Sequence, residues 1–303
     1  MVYENFEQMI EKVRTFSAAK RMAIAVAADE ATLKAALEAK QKGIVVPVLV
    51  GEKRRILDIL AGMGEKENVP DADIHDEPDD VEACKLAVQL VRTGNADFLM
   101  KGKIDTHVLL KEVVDKENGL KKGELMSHLS MFDVPGYHKI LVPVDGGMVA
   151  YPTLEQKKSI IENTVGALLD MGYTCPKVGV LACAEKVNPK MPEMVEADAL
   201  KQMNRRGEIR NCIVDGPVSY DCAISKEAAA IKGYESEIAG DVDVLLVPNI
   251  HAGNIMGKML AYTCGARMAG FVVGGRCPIV LTSRGASSEE KFLSIAVSAA
   301  ASG

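Results

Sequence analysis

The sequence predicts an α/β protein of two domains, with mainly parallel sheets and helices on the sheet faces. Short apolar runs alternate with segments of helical periodicity, which is the pattern of parallel strands joined by crossover helices. A length of 303 residues suits about two domains. One direct strand-to-strand link, through Pro135 and Gly136, interrupts the alternation and marks a change between domains.

The first part of the chain alternates regularly between the two kinds of element. Phe6, Ile10 and Val13 share one face of the opening helix, and Gly43 ends the second helix. Residues 65–80 are polar and contain two prolines, so they are predicted to be a surface excursion or connector. Predicted helices are 4–18, a segment through Leu33 and Leu37, 53–63, 81–92 and 106–114; predicted strands are 22–27, 45–50 and 98–100.

After two neighbouring strands at 124–131 and 139–144, the alternation resumes. Pro152 stands just before a long helix, where its fixed backbone angle suits a helix start. The later predicted helices are 154–171, 191–204, 225–232, one after Asn254, and 287–300; the later predicted strands are 177–182, 212–214, 244–247, 271–275 and 278–282.

Composition and charge argue against several classes of protein. Hydrophobic residues make up 48% and charged residues 26%, as in globular proteins, and a net charge of −6 with interspersed signs argues against nucleic-acid binding. No apolar run is long enough to span a bilayer, and the acidic, amphipathic N-terminus does not resemble a signal peptide. Seven dispersed cysteines fit reduced thiols in a cytoplasm, and neither they nor the five histidines show metal-ligand spacing.

Charged residues beside glycine follow several predicted strands, where ligands bind in open α/β folds. Lysines there either meet an anion or remain solvated, and Ser127, His128 and His138 suit acid–base chemistry or structural hydrogen bonds. The chain has neither a P-loop motif nor G-x-G-x-x-G after its first strand. The segments that follow strands are 101–103, 145–147, 215–217, 251–258 and 283–285.

The stretch from Asp243 to Met259 is the first candidate anion site. Pro248 ends an apolar strand, small residues including Asn249, Gly253 and Asn254 form a turn, and helical spacing begins after Asn254. Such an order points backbone N–H groups and the positive end of a helix at one spot, which suits phosphate. The alternative is an ordinary connection between a strand and a helix.

The second candidate is Ser283–Arg284, just beyond the last strand. Arginine presents a planar fork of donors that matches pairs of phosphate oxygens. Ser287 or Ser288 is placed to cap the closing helix, with Glu290 in its first turn. The alternative is a capping box completed by Glu290 and a surface ion pair for Arg284.

Six segments together resemble the phosphate acetyltransferase/phosphate butyryltransferase family. In its length and its middle motifs, the chain is most similar to the butyryltransferase branch. Their order and spacing agree from about residue 90 to the C-terminus, whereas the N-terminal third agrees only in general pattern. The segments are ADFLMKGKIDT (96–106), LMSHLSMF (125–132), VDGGMVAYPT (144–153), DGPVSYDCAIS (215–225), PNIHAGNIMGKML (248–260) and PIVLTSRGASSEEK (278–291).

The resemblance implies a two-domain subunit of the isocitrate/isopropylmalate dehydrogenase-like fold. Residues 1–133 with 284–303 are expected to form the first domain and residues 134–283 the second, with the active cleft between them. It also implies a cytoplasmic homodimer or higher homo-oligomer. Its substrates are acyl-CoA and phosphate, and it needs no metal or prosthetic group, coenzyme A being a substrate.

The implied reaction is acyl-CoA plus phosphate giving acyl phosphate plus coenzyme A, by direct transfer in a ternary complex. Arg284 binds the phosphate, Ser283 supports the charge that develops at the thioester, and Glu290 acts as base for the thiol. The acetyltransferases have Asp at the position of Glu290, so Glu289 stays open as the base. Residues expected to bind phosphate or coenzyme A are Lys101, Ser127, His251, Gly253, Asn254 and Lys258.

Three alternatives to a butyryl-transferring enzyme remain at this stage. A phosphate acetyltransferase differs only in acyl chain length, which the sequence does not determine. A metal-dependent hydroxy-acid dehydrogenase on the related fold needs a carboxylate cluster, for which the sequence offers no match. A non-catalytic coenzyme A-binding protein would keep the fold without phosphate-dependent chemistry.

Overall fold

The computed structural model describes residues 2–283 and 285–302 and contains two compact units. The middle unit comprises Met1–Phe6 and Leu125–Met268; the terminal unit comprises Glu7–Glu124 and Ala269–Gly303. These boundaries differ from the predicted ones at 133/134 and 283/284. Residues 269–283 belong with the terminal unit because the strand at Ile279–Val280 pairs parallel to the strand at Phe98–Lys101.

The terminal unit is built on a mainly parallel sheet in the order β3-β2-β1-β4-β11-β10. Within this order β10 and β11 pair antiparallel, through Val272 and Ile279. Its strands are β1 Lys20–Ala25, β2 Val45–Gly51, β3 Ile74–Asp76, β4 Phe98–Lys101, β10 Arg267–Val273 and β11 Ile279–Val280. Its helices are α1 Phe6–Arg14, α2 Glu30–Gln41, α3 Lys53–Gly62, α4 Asp80–Arg92, α5 Thr106–Val113 and α11 Ser288–Ala300.

The middle unit carries a four-stranded parallel sheet in the order β6-β9-β7-β8. A further strand, β5, meets the segment before β6 through an antiparallel bridge between Phe132 and Leu141. Its strands are β5 Ser127–Asp133, β6 Val142–Val144, β7 Lys177–Leu181, β8 Ile213–Val218 and β9 Val244–Leu246. Its helices are α6 Leu154–Asp170, α7 Pro192–Arg205, α8 Tyr220–Ile224, α9 Lys226–Lys232 and α10 Ile250–Tyr262.

Each unit has a buried core that follows from its apolar strands. In the terminal unit Met22, Ile24 and Phe98 are fully buried, and in the middle unit Val244 and Leu245 are equally inaccessible. Strands buried on both faces read as continuous apolar runs, which is why the sequence located them. Among the described residues, no helix is long and apolar enough to cross a membrane.

Apart from shifted strand ends, such as β10 at Arg267–Val273 where 271–275 was predicted, three elements differ from the sequence-based expectation. The excursion at 65–80 contains β3, which pairs parallel to β2 through Leu49 and Ile74. Three residues are too few to show an alternating pattern, so β3 was missed. The helix α8 was also missed, because its five residues are too few to show helical periodicity.

The third difference lies at the first candidate site, because α10 begins at Ile250 and not after Asn254. The side chain of Asn249 caps this helix by accepting a hydrogen bond from the Ala252 N–H at 3.1 Å. Asn249 is therefore the N-cap, and Gly253 and Asn254 lie inside the helix.

Candidate active site

The terminal unit contains a cavity of about 550 Å³ at the carboxyl ends of its central strands. We call it the lysine cavity because Lys101, Lys103 and Lys291 line it together with Asp29, Thr282 and Ser283. Two predicted site residues, Lys101 and Ser283, thus share one cavity. Its position agrees with the rule that open α/β folds bind ligands beyond strand ends.

The loop after β4 is held in place by a strained residue at the end of β1. Val26 has φ +55°, a left-handed conformation that is unfavourable for a β-branched side chain. Its carbonyl oxygen accepts a hydrogen bond from the Lys103 N–H at 2.9 Å, and the Ala25 carbonyl accepts one from Gly102 at 2.8 Å. A Cβ on Gly102 would overlap the Val26 carbonyl oxygen, so only glycine allows this approach.

Lys101 is buried, and its ammonium group bonds the loop that follows it. Nζ donates to the carbonyl oxygen of Ile104 at 3.0 Å and lies 3.4 Å from that of Gly102. The predicted anion-binding lysine therefore also fixes the path of its own loop along the cavity wall. Lys103, two residues later, is exposed and also lines the cavity.

Ser283 and the start of α11 form another part of the cavity region. Ser283 is exposed, follows the buried Thr282, and lies on the cavity wall. Of the two predicted capping residues, Ser287 caps α11 by accepting a hydrogen bond from the Glu290 N–H at 3.0 Å, and Ser288 is the first residue of the helix. Glu289 and Glu290 occupy the first turn of α11, where acidic side chains suit the helix dipole. Arg284 lies outside the described residues.

Lys291 and Asp29 form a pair on the same cavity that the sequence did not indicate. Lys291 is 8% exposed, and its Nζ lies 3.6 Å from Oδ2 of Asp29. Burial tends to raise the pKa of the Asp29 carboxyl, but hydrogen bonds from Thr32 and the charges of Lys291 and Lys103 outweigh it and lower that pKa. Asp29 is therefore held as a carboxylate.

In the middle unit the loop after β6, residues 145–151, is organised by Asp145; we call it the Asp145 loop. The buried carboxylate accepts hydrogen bonds from the N–H groups of Gly147 at 2.7 Å, Met148 at 2.8 Å and His128 at 2.8 Å. The first two bonds form an Asx turn, in which an aspartate side chain accepts from backbone N–H groups that follow it in the chain. This turn brings residues 146 and 147 against their neighbours.

The Asp145 loop packs directly on the first turn of α10. A Cβ on Gly253 would lie 2.7 Å from the Cα of Gly146, so the helix and loop backbones approach closely. The side-chain amide of Asn254 donates to the carbonyl oxygen of Gly146 at 3.3 Å. Gly253 is therefore needed for a close approach and not for a turn, and Asn254 contacts the loop.

His251 also meets the Asp145 loop, whereas Lys258 lies two turns further along α10. The Tyr151 hydroxyl and His251 Nε2 are 2.9 Å apart, and both residues are exposed. Lys258 is exposed on α10. The structure thus places His251, Gly253 and Asn254 together at the start of one helix.

Ser127 and His128 begin β5, and the backbone N–H of His128 joins this strand to the Asp145 loop. Ser127 is 1% exposed and lies 3.4 Å from the side-chain nitrogen of Asn163. Burial lowers the pKa of the His128 imidazole, although the Asp145 carboxylate opposes this shift. His128 Nδ1 is 3.1 Å from Ser130 Oγ, so the neutral ring takes part in a local hydrogen bond.

One cluster of metal-capable side chains occurs within the described parts of the chain, formed by Glu185, Asp221 and Cys222 in the middle unit. Lys232 already lies within it, 2.8 Å from Asp221 Oδ2 and 3.5 Å from Glu185 Oε1. Hydrogen bonding from Lys232 is the main reason that the pKa of Asp221 falls to about 2. The ammonium supplies the positive charge that these carboxylates require.

The predicted site residues came from glycine and charge beyond strand ends and from the family resemblance, but neither signal indicated Lys291, Asp29 or Tyr151. Lys291 lies inside a helix and Asp29 precedes one, where charged residues are common. Tyr151 sits in a motif quoted for the resemblance, yet no spacing rule relates it to His251 a hundred residues later. Only tertiary contact reveals these partners.

Comparison with known proteins supports a transferase. The chain is 41% identical over 300 residues to a phosphate butyryltransferase of Clostridium acetobutylicum, covering 99% of each protein. It is 42% identical over 296 residues to a phosphate acetyltransferase of Thermotoga maritima, covering 97% of this chain and 98% of the relative. A solved branched-chain phosphotransacylase from Enterococcus faecalis V583 has a TM-score of 0.83 at 33% identity, covering 93% of this chain and 99% of that one.

The fold is that of an α/β protein with mainly parallel sheets, a class in which ligands bind beyond the carboxyl ends of the strands. Residues 65–299 match the family described as Phosphate acetyl/butaryl transferase. The chain belongs to this family. The resemblance inferred from the six motifs is confirmed, as is the α/β fold class with mainly parallel sheets and flanking helices.

Proposed function

We propose that the protein transfers a short acyl group, with butyryl favoured, between coenzyme A and inorganic phosphate. The observation that carries this proposal is the full-length likeness to a phosphate butyryltransferase at 41% identity. A phosphate acetyltransferase is 42% identical, so overall identity does not select the acyl chain. The preference for butyryl rests on the length of the protein and on its middle motifs.

The proposed chemistry is direct transfer within a ternary complex. Arg284 grips the phosphate, Ser283 supports the charge that develops on the thioester oxygen, and Glu290 removes the proton from the coenzyme A thiol in the reverse direction. Positioning two anionic substrates and stabilising an oxyanion would supply most of the rate, so no metal or prosthetic group is needed.

Two features of the terminal unit support these roles. Ser283 lies on the lysine cavity, where three lysines stand beside three aspartates, Asp29, Asp80 and Asp105, so that the lysines can reach an anionic group only within a mixed-charge lining. Glu290 lies in the first turn of α11, with its backbone N–H bonded to Ser287, which fixes the position of that turn. Glu289 in the same turn remains the alternative base.

The start of α10 is the second proposed substrate contact. The positive end of the helix, together with His251, Gly253 and Asn254, suits a phosphate or a phosphate group of coenzyme A. Lys101, Ser127 and Lys258 complete the proposed set. We further propose a cytoplasmic homodimer or higher homo-oligomer.

Thiol release from butyryl-CoA tests the proposal. We expect release to require inorganic phosphate, because phosphate is the acyl acceptor. Release that is independent of phosphate, or binding of coenzyme A without release, would instead support a hydrolase or a binding protein. The family and its relatives do not favour a dehydrogenase. We therefore expect a fluorescence titration to detect no nicotinamide binding.

A panel of acyl-CoA substrates from acetyl to hexanoyl measures the chain-length preference. We expect the highest kcat/KM for butyryl-CoA. A methylene group in an apolar pocket contributes about 1–3 kcal/mol, which corresponds to roughly 10- to 200-fold discrimination. A maximum at acetyl-CoA would replace the butyryl assignment with the acetyl one while leaving acyl transfer in place.

A further inference from the structure

Lys291 is a buried cation at the edge of the lysine cavity, next in the chain to Glu290. It is 8% exposed, and its ammonium lies 3.6 Å from Asp29 Oδ2. A buried lysine is costly unless a carboxylate faces it, so the pair determines where this part of α11 can lie. None of the motif-based assignments gives either residue a role.

Asp29 performs two tasks with the same oxygen atom. Oδ2 accepts a hydrogen bond from the Thr32 N–H at 2.9 Å and from the Thr32 hydroxyl at 2.6 Å, which caps α2. It is also the atom nearest to Lys291. The first turns of α2 and α11 are thus connected through one carboxylate on the wall of the cavity that Ser283 lines.

We infer that Asp29 and Lys291 are a positioning pair for acyl transfer, holding the first turn of α11 so that Glu290 meets the substrate thiol. The inference rests on the proposed function and deepens it. Lys291 is the N4 residue of α11, one position after Glu290, so displacement of its side chain rotates and shifts that turn. Neither member of the pair need touch the substrate.

The consequence is a defect in turnover more than in substrate binding. Misplacing a reacting group by about 1 Å can cost up to roughly a hundredfold in rate, because proximity and orientation are lost. Groups that only bind substrate would change KM instead. A pair that merely stabilises the fold would change the melting temperature and leave kcat of the folded enzyme unaltered.

Asp29→Asn is the sharpest test. Asparagine caps helices as well as aspartate does, so α2 keeps its N-cap while Lys291 loses its counter-charge. We expect kcat for phosphate-dependent thiol release from butyryl-CoA to fall by about tenfold, with less than about a twofold change in KM. Lys291→Met should show the same split, and Lys291→Arg should retain activity within about threefold.

Two further variants separate positioning from general stability. For the double variant Asp29→Asn/Lys291→Met we expect a kcat no lower than that of the less active single variant, because the two residues act as a unit. Lys157→Met removes another buried lysine, which pairs with Glu196 at 2.5 Å in the middle unit. It should lower the melting temperature and leave kcat of the folded protein unchanged.

The outcomes distinguish this inference from the function on which it rests. An active wild type whose kcat is unchanged in Asp29→Asn and Lys291→Met overturns the positioning pair alone. If Lys291→Arg loses as much kcat as Lys291→Met, the positioning pair is also overturned. A wild type without phosphate-dependent thiol release overturns both the proposed function and the pair.

Discussion

Gly253 lies where the backbone of α10 comes closest to the backbone of the Asp145 loop. Glycine after a strand suggested a tight turn, but Gly253 lies in the first turns of α10 with ordinary helical φ. It is required because the Asp145 loop leaves no room for a Cβ, whose nearest neighbour would be the Cα of Gly146 at 2.7 Å. Close approach, not backbone conformation, explains the residue.

Substitution of Gly253 tests this explanation. We expect Gly253→Ala to destabilise the protein by about 1–3 kcal/mol, since backbone atoms cannot move aside as a flexible side chain can. Gly166→Ala is the matched control, because Gly166 is also helical and a Cβ there meets nothing within 4 Å. The control should be neutral or stabilising by up to about 1 kcal/mol. Equal effects in urea unfolding would show that packing is not the reason.

Arg284 carries the proposed contact with phosphate. We expect Arg284→Ala to lower kcat/KM by at least about a hundredfold, or roughly 3 kcal/mol, because it removes a bidentate phosphate contact. Arg206→Ala is a control, since this arginine is exposed and pairs locally with Glu208. Activity of Arg284→Ala close to that of the wild type would remove Arg284 from the mechanism.

At the scale of elements, the sequence predicted the long helices and buried strands but not every boundary. Helices such as α6 have enough turns for their 3.6-residue period to be visible, and their caps add a second signal, as at Ser287 of α11. The period of β3 and α8 is hidden by their short length. The start of α10 was predicted too late because its first turn contains glycine, which usually punctuates loops.

The Asn249 cap is the element-level feature that fixes the start of α10. We expect Asn249→Ala to cost about 1 kcal/mol of stability, because the Ala252 N–H loses its acceptor. Asn249→Ser keeps a capping oxygen and should cost much less. Chemical denaturation measures both, and an Asn249→Ala variant as stable as Asn249→Ser would argue against a cap at this position.

At the scale of the whole molecule, the candidate site was only partly predictable. Ser283 and Lys101 could be found because ligands in open sheets lie beyond strand ends, and the structure places both on one cavity. Asp29 and Lys291 could not be found, because they are 262 residues apart and each resembles an ordinary helix-end charge. Helical periodicity describes one element at a time and does not reveal which turns of two elements face each other.

A partly buried charge network in the middle unit should make stability depend on pH. Asp241 lies 2.6 Å from Lys177, 2.8 Å from His138 and 3.1 Å from Lys139. Burial tends to raise the pKa of Asp241, but these hydrogen bonds and charges lower it well below its ordinary value. The carboxylate therefore stabilises the fold above the unfolded pKa of about 3.9, and this contribution is lost as pH falls further.

Asp241→Asn measures that contribution. We expect it to cost about 1–3 kcal/mol at pH 7, because charged hydrogen bonds are lost, and the difference from the wild type should shrink below about pH 4. Asp71→Asn, which removes an exposed partner of Lys53, should cost less than about 1 kcal/mol. A difference for Asp241→Asn that grows toward acid would contradict the assigned direction of the pKa shift.

The most direct test of acyl transfer to phosphate is the stoichiometry of the wild-type reaction, followed by phosphorus NMR with butyryl-CoA and inorganic phosphate. Our account predicts one butyryl phosphate formed for each coenzyme A released, because phosphate attacks the thioester directly. Coenzyme A release that yields free butyrate without passing through butyryl phosphate would contradict it.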